Sequence, residues 1–241
     1  MSPRRFLVSP ADLERDVVEL GPGEAAHARK VLRLGPGDEV WLLDGQGRRA
    51  RARVERADRA GVACRVLDLD LAPAPGPRLV LCPGLLKAPA MDLLAVKLTE
   101  LCVDQVRPFF SQRSVVRGGE AGGKVGRWRR LAAQALKQCG AGRAPVFHEP
   151  LDLAGLLDLP PAGALRLLVY EEERGLSLAQ ALAGLDPGGE VWLLVGPEGG
   201  FAPQEAEAAV AAGFTACGLG PVVLRAETAS LACAAVVRFS R

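Results

Sequence analysis

From residue 78 onward, apolar runs of strand length alternate with helical stretches, and this alternation constrains the fold of the 241-residue chain more than any other feature. "RLVLCPGLL" leads into "PAMDLLAVKLTELCV", where Leu94, Leu98 and Leu101 recur at helical spacing. "VRPFF" precedes "GRWRRLAAQALKQC", an amphipathic helix that puts Trp128, Leu131, Ala135 and Leu136 on one face and its Arg and Lys on the other. "ALRLLVY" and "VWLLV" are each followed by a loop and a helix. Strands that alternate with helices in this way form a mostly parallel sheet covered on both faces.

Residues 1–72 are patterned differently. Short strand candidates lie near 39–43, 49–56 and 61–68, with turn chemistry at Gly35-Pro36-Gly37-Asp38 and Asp44-Gly45-Gln46-Gly47. A small β-barrel is expected there. "APAPGP", Ala72 to Pro77, breaks regular structure and serves as the linker, giving expected domains of 1–72 and 73–241.

Composition excludes several classes. The hydrophobic share of 49% and charged share of 24% are those of a globular chain. "MSPRRFLVSPADLER" has no apolar core, and "LRAETASLACAAVVRF" carries charges within its pattern, so neither a signal peptide nor a membrane span is expected, and the default is a soluble cytoplasmic protein. The six cysteines are scattered and the two histidines lie far apart, so reduced thiols and no metal are expected. Charge is unevenly placed: residues 107–143 hold nine Arg or Lys against Glu120 alone, and residues 144–241 hold five against twelve acids. A solvated helix face with a basic loop explains this as well as a phosphate-contacting surface does, the latter favoured by "SQRSVVRGGEAGGKVGRWRR".

Two loops follow strands in positions where α/β sheets hold ligands. Gly196-Pro197-Glu198-Gly199-Gly200 opens a helix whose first turn suits Pro203 and Glu205. It has neither the Gly-Lys-Ser/Thr of a P-loop nor G-x-G-x-x-G spacing. By itself it fits a plain turn as well as a binding loop. "LGPVVLRAETASLACAAV" carries Arg225 and Glu227 at a helix start, where they fit a cap and local ion pair equally well.

Together, "LLVGPEGGF", "LG" and "LRAETA" resemble the C-terminal signature of the ribosomal RNA small subunit methyltransferase E family, a branch of the SPOUT superfamily. "HARKVLRLGPGDEVWLLDG", "LLKAPAMDLLAVKLTELCVDQVRPFFSQRSV" and "LKQCGAGRAPVF" are similar to its preceding segments, in order, over most of the chain. The resemblance implies an N-terminal PUA-like β-barrel and a SPOUT-type α/β domain with a deep trefoil knot that binds S-adenosylmethionine. It implies a homodimer methylating N3 of a uridine in small-subunit ribosomal RNA, with rRNA or the assembling small subunit as partner. Leu168, Tyr170, Val195, Gly196, Pro197, Glu198, Gly199, Gly200, Leu219, Gly220, Leu224, Arg225, Glu227, Thr228 and Ala229 would then line the donor pocket. Departures from the family pattern are Cys102 for a usual Gly after a helix, Val222 for an Arg, and Ala226 for a Thr. Another RNA substrate, or a non-catalytic RNA-binding protein of this fold, remains an alternative.

Uridine N3 carries a proton that must be removed, or its anion stabilised. Arg225 is expected to stabilise the charge developing on the base, with Glu227, or else Glu198, orienting it or taking the proton. Expected RNA phosphate contacts are Arg4, Arg5, His27, Arg29 and Arg33 in the first domain, and Arg113, Arg117, Lys124 and Arg127 in the second.

Overall fold

The computed structural model describes residues 4–73, 76–114 and 123–239. The chain forms two compact units: the first runs to Pro73 and also takes in Ala133–Ala144, and the second comprises the rest.

In the first unit β1 (Arg5–Leu7), β2 (Val17–Glu19), β3 (Glu39–Leu43), β4 (Arg48–Ala57) and β5 (Val62–Leu71) pair in the order β1-β3-β4-β5-β2, with α1 (Pro22–Lys30) between β2 and β3. β1 pairs parallel with β3 and the other pairings are antiparallel. Register shifts between Arg51/Ala52 and Val54/Arg56 increase the twist of the long β4–β5 ribbon. The sheet is curled, with β1 and β2 at the two ends of its ladder, around a core that includes Phe6, Val18, Leu42, Val54 and Val62. The three strands expected near 39–43, 49–56 and 61–68 are β3, β4 and β5; β1, β2 and α1 carry too short a pattern to have been anticipated. At the expected turn of Asp44, the buried carboxylate accepts from the amides of Gln46 (2.7 Å) and Arg48 (3.0 Å).

The second unit contains β6 (Arg78–Pro83), α2 (Ala88–Glu100), β7 (Gln105–Val106), β8 (Phe109–Phe110), α3 (Lys124–Cys139), β9 (Val146–Phe147), β10 (Leu151–Asp152), α4 (Leu153–Leu157), β11 (Leu165–Val169), α5 (Leu178–Ala181), β12 (Glu190–Val195), α6 (Pro203–Ala211), β13 (Thr215–Cys217) and α7 (Ala226–Phe239), the last part of α3 belonging to the first unit. A six-stranded sheet runs β13-β11-β12-β6-β7-β9 and every pairing in it is parallel, as the strand–helix alternation predicts. β8 and β10 form a separate parallel pair.

Side chains of each strand alternate between two cores. Leu79, Leu81, Leu167, Val169, Leu193 and Val195 meet α2, α3 and α7 through Met91, Leu94, Trp128 and Cys233. Val80, Cys82, Leu168, Trp192 and Leu194 meet α4 and α6 through Leu156, Ala206 and Ala209. Of the apolar face expected for α3, Trp128, Ala135 and Leu136 are buried and Leu131 is partly so.

α2 ends in a Schellman turn: the amide of Val103 reaches the Leu98 carbonyl (2.9 Å) and that of Cys102 the Thr99 carbonyl (3.0 Å). Cys102 takes the left-handed conformation, φ 54°, in which glycine is favoured. The turn keeps its form although the residue that suits it is absent.

Candidate active site

The carboxyl ends of β11 and β12 and the loop after β13 enclose a cavity of about 230 Å³. One wall is Val195 to Gly200, the second is Gly218, Leu219, Gly220, Val222, Val223 and Leu224 with Ala226 and Ala229 of α7, and the third is Val169, Tyr170, Glu171 and Arg174. Local chemistry holds each wall in place. The Gly200 amide closes a turn on the Pro197 carbonyl (2.9 Å), and Gly200 adopts φ 68°. A Cβ on Gly196 would stand 3.1 Å from the Phe201 ring, and one on Gly84 would lie 2.6 Å from the Pro197 nitrogen, so β6 packs directly behind the loop. Arg174 donates to the Gly220 carbonyl (3.2 Å), joining the second and third walls. The Gly199 carbonyl accepts from the Arg113 guanidinium (3.1 Å). Burial, then a hydrogen bond with Glu172, raises the Tyr170 phenol above its ordinary 10.0.

Of the residues expected to form the pocket, Tyr170, Val195, Gly196, Pro197, Glu198, Gly199, Gly200, Leu219, Gly220, Leu224 and Ala229 line it together. Leu168 does not: it is fully buried in the core on the other face of the sheet, since its neighbour Val169 holds the pocket-side position of the pleat. Arg225 and Thr228 are exposed and Glu227 is half-buried, all three outside the lining although the flanking Leu224, Ala226 and Ala229 belong to it. Glu171, Arg174, Gly218, Val222 and Val223 were not anticipated. Strand alternation pointed to Val169, and the position just past a strand's carboxyl end pointed to Glu171 and Arg174.

The expected RNA contacts are unevenly committed. In the first unit, Arg5 donates to the carbonyls of Lys137 (3.2 Å) and Gln138 (3.0 Å), Arg4 pairs with Asp38 (3.3 Å), and Arg29 donates to the Asp58 carbonyl. His27 and Arg33 are exposed, and the His27 ring stands edge-on to Phe6 at 6.5 Å. In the second unit Arg127 is paired with Asp92 (2.7 Å), Lys124 is half-buried at the start of α3, and Arg113 stands at the pocket rim. Arg117 lies outside the described residues. Among the described residues no group of three His, Cys, Asp or Glu is placed to hold a metal, and no helix is long and apolar enough to cross a membrane.

A parallel α/β sheet with a glycine-walled cavity outside its strand ends is the architecture of enzymes that hold a small ligand at that position. Comparison with known proteins narrows this class. Residues 73–238 match the model of an RNA methyltransferase domain and residues 20–67 that of an RNA methyltransferase PUA domain. The ribosomal RNA small subunit methyltransferase E of Mycobacterium bovis is 35% identical over 86% of this chain and 80% of its own length. The Neisseria gonorrhoeae structure of that enzyme, bound to S-adenosyl methionine, superposes with a TM-score of 0.86 at 28% identity, covering 97% of this chain and 96% of the other. A probable rRNA-methyltransferase from Porphyromonas gingivalis superposes with 0.83 at 31% identity, covering 98% of each. The chain belongs to the ribosomal RNA small subunit methyltransferase E family.

Proposed function

We propose that this protein transfers a methyl group from S-adenosylmethionine to N3 of a uridine in 16S ribosomal RNA. The observation that carries the reading is the cavity outside β11 and β12, walled by the 196–200 and 218–229 segments in a chain of this family. Its chemistry suits the donor. Val169, Val195, Leu219, Leu224, Ala226 and Ala229 offer apolar surface to an adenosyl group, and Glu171, Glu198 and Arg174 offer opposite charges to an ammonium and a carboxylate.

The donor supplies an electrophilic methyl on a sulfonium; the protein aligns the acceptor and manages one proton. Alignment supplies most of the acceleration in a displacement of this kind. Arg225, exposed between the lining residues Leu224 and Ala226, is assigned to the negative charge that spreads over the uracil carbonyls as N3 loses its proton. Glu227 orients Arg225 or accepts that proton, and Glu198 at the opposite wall is the other candidate acceptor. His27, Arg33 and Lys124 are assigned to phosphates, where they add affinity without sequence choice.

The closed PUA-like barrel, the trefoil knot around the second wall and the homodimer belong to the same proposal, as does the cytoplasm as the site of the reaction; the resemblance of the sequence supports them. Transfer of labelled methyl to 16S rRNA, followed by digestion to nucleosides, tests the proposal. The expected product is 3-methyluridine; label recovered only in another nucleoside would refute the assignment of N3.

A further inference from the structure

Glu205 lies in the first turn of α6 and is only 5% exposed. Its Oε2 accepts from the Ala202 amide (2.9 Å), which caps the helix. A cap requires nothing more, and a surface glutamate would serve. Glu205 instead receives two further donors from a segment 93 and 94 residues away: the Gln112 amide (2.9 Å) and the Ser111 hydroxyl (2.9 Å). Burying a carboxylate is costly unless donors surround it, so its burial is tied to this distant segment.

The segment so held carries Arg113. The Ser111 hydroxyl, while donating to Glu205, accepts from the Arg113 amide (3.3 Å), and the Ser114 hydroxyl accepts from the Ser111 amide (3.1 Å). The Arg113 guanidinium then reaches the Gly199 carbonyl, and a Cβ on Gly199 would stand only 3.0 Å from the Cβ of Arg113. Stacked rings of Phe109 and Phe201, 6.0 Å apart and 8° from parallel, close the same seam. Because the guanidinium is bonded to a neutral carbonyl, its charge is left to act on whatever reaches the rim.

We infer that Glu205 is a positioning residue that acts through Arg113: it holds the 111–114 segment against the 196–200 loop so that the guanidinium meets an anionic oxygen of the acceptor RNA. The inference rests on the methyltransferase reading above. Glu205→Gln preserves shape but leaves one acceptor oxygen, so the Gln112 and Ala202 amides no longer each have their own.

The test combines Glu205→Gln, Arg113→Ala and the double variant with a measurement that needs no turnover. Amide exchange at residues 112–114 is expected to be about tenfold faster in Glu205→Gln with global unfolding unchanged; an unchanged rate overturns the inference whether or not the protein transfers methyl groups. In 16S rRNA methylation, Glu205→Gln is expected to lower kcat/KM for RNA about tenfold with donor Kd within about threefold, and to add less than about twofold to the loss in Arg113→Ala. Losses that multiply in the double variant overturn it, because Glu205 would then act independently of Arg113. A wild type that binds no S-adenosylmethionine would refute the proposed function and leave exchange to decide the inference.

Discussion

The open sheet of the first unit and the pocket of the second handle their arginines in opposite ways. On the open sheet of the first, Arg49, Arg51, Arg53, Arg56 and Arg65 are paired with Asp70, Asp68, Glu39, Glu19 and Glu55. At the pocket of the second, Arg113 and Arg174 are bonded to the Gly199 and Gly220 carbonyls. A paired guanidinium is largely neutralised, whereas one bonded to a carbonyl keeps its field. The density of arginine in a sequence is therefore a poor guide to where an anion binds; the partner of each arginine is the better one.

The largest effect is expected where a glycine backs the pocket loop. Gly84→Ala drives a Cβ into the Pro197 backbone and is expected to cost about 1–3 kcal/mol, with donor affinity reduced tenfold or more on the order of that strain. Gly23→Ala in α1 meets nothing within 4 Å and should stabilise by about 0.5–1 kcal/mol. Thermal melts and donor titrations of both variants measure the contrast, which breaks if the two behave alike.

Next in size is the RNA affinity. Arg113→Ala with Lys124→Ala is expected to lower the slope of log K against log salt by about one per residue. Arg49→Ala with Arg51→Ala should leave the slope unchanged and cost no more than about 1 kcal/mol of stability per pair. Equal slopes for the two double variants would remove the distinction between paired and unpaired cations.

A smaller effect concerns His148, whose imidazole is held below its ordinary 6.5 by burial and then by the nearby Arg107 and Arg129. The unfolded chain binds the proton more readily, so stability is full above about pH 6.5 and falls as pH drops below it, toward the lower pKa of the folded state. His148→Gln should flatten that dependence between about pH 7 and pH 5; parallel melting curves for the two proteins would contradict it. Smallest is Cys102→Gly, expected to raise stability by about 0.5 kcal/mol by removing left-handed strain at some cost in chain entropy. A lower midpoint in denaturant would show that the Cys102 side chain outweighs the strain.

The same difference decided what could be read from sequence. The parallel sheet was legible because continuous apolar runs such as Leu79–Cys82 and Val191–Val195 serve two cores at once. The glycine loop was legible as a motif, and most of its expected companions line one cavity. Leu168 was read on the pocket side together with Tyr170, whereas its side chain faces the opposite core and Val169 holds the pocket side of the pleat. The charged part of the site was harder to read. Arg225 and Glu227 drew attention by their motif, yet the charged groups in the wall are Glu171, Arg174 and Glu198. Glu205 looked like an ordinary first-turn acid because its two other donors come from Ser111 and Gln112, and no local pattern encodes a contact of that separation.

The central claim is that the cavity between the 196–200 and 218–229 segments is the methyl donor's site. Calorimetric titration of the wild type and of Gly199→Trp with S-adenosylmethionine tests it most directly. The account predicts saturable binding near one site per chain in the wild type, abolished in a folded Gly199→Trp protein. Undiminished affinity in that variant would place the donor elsewhere and contradict the account.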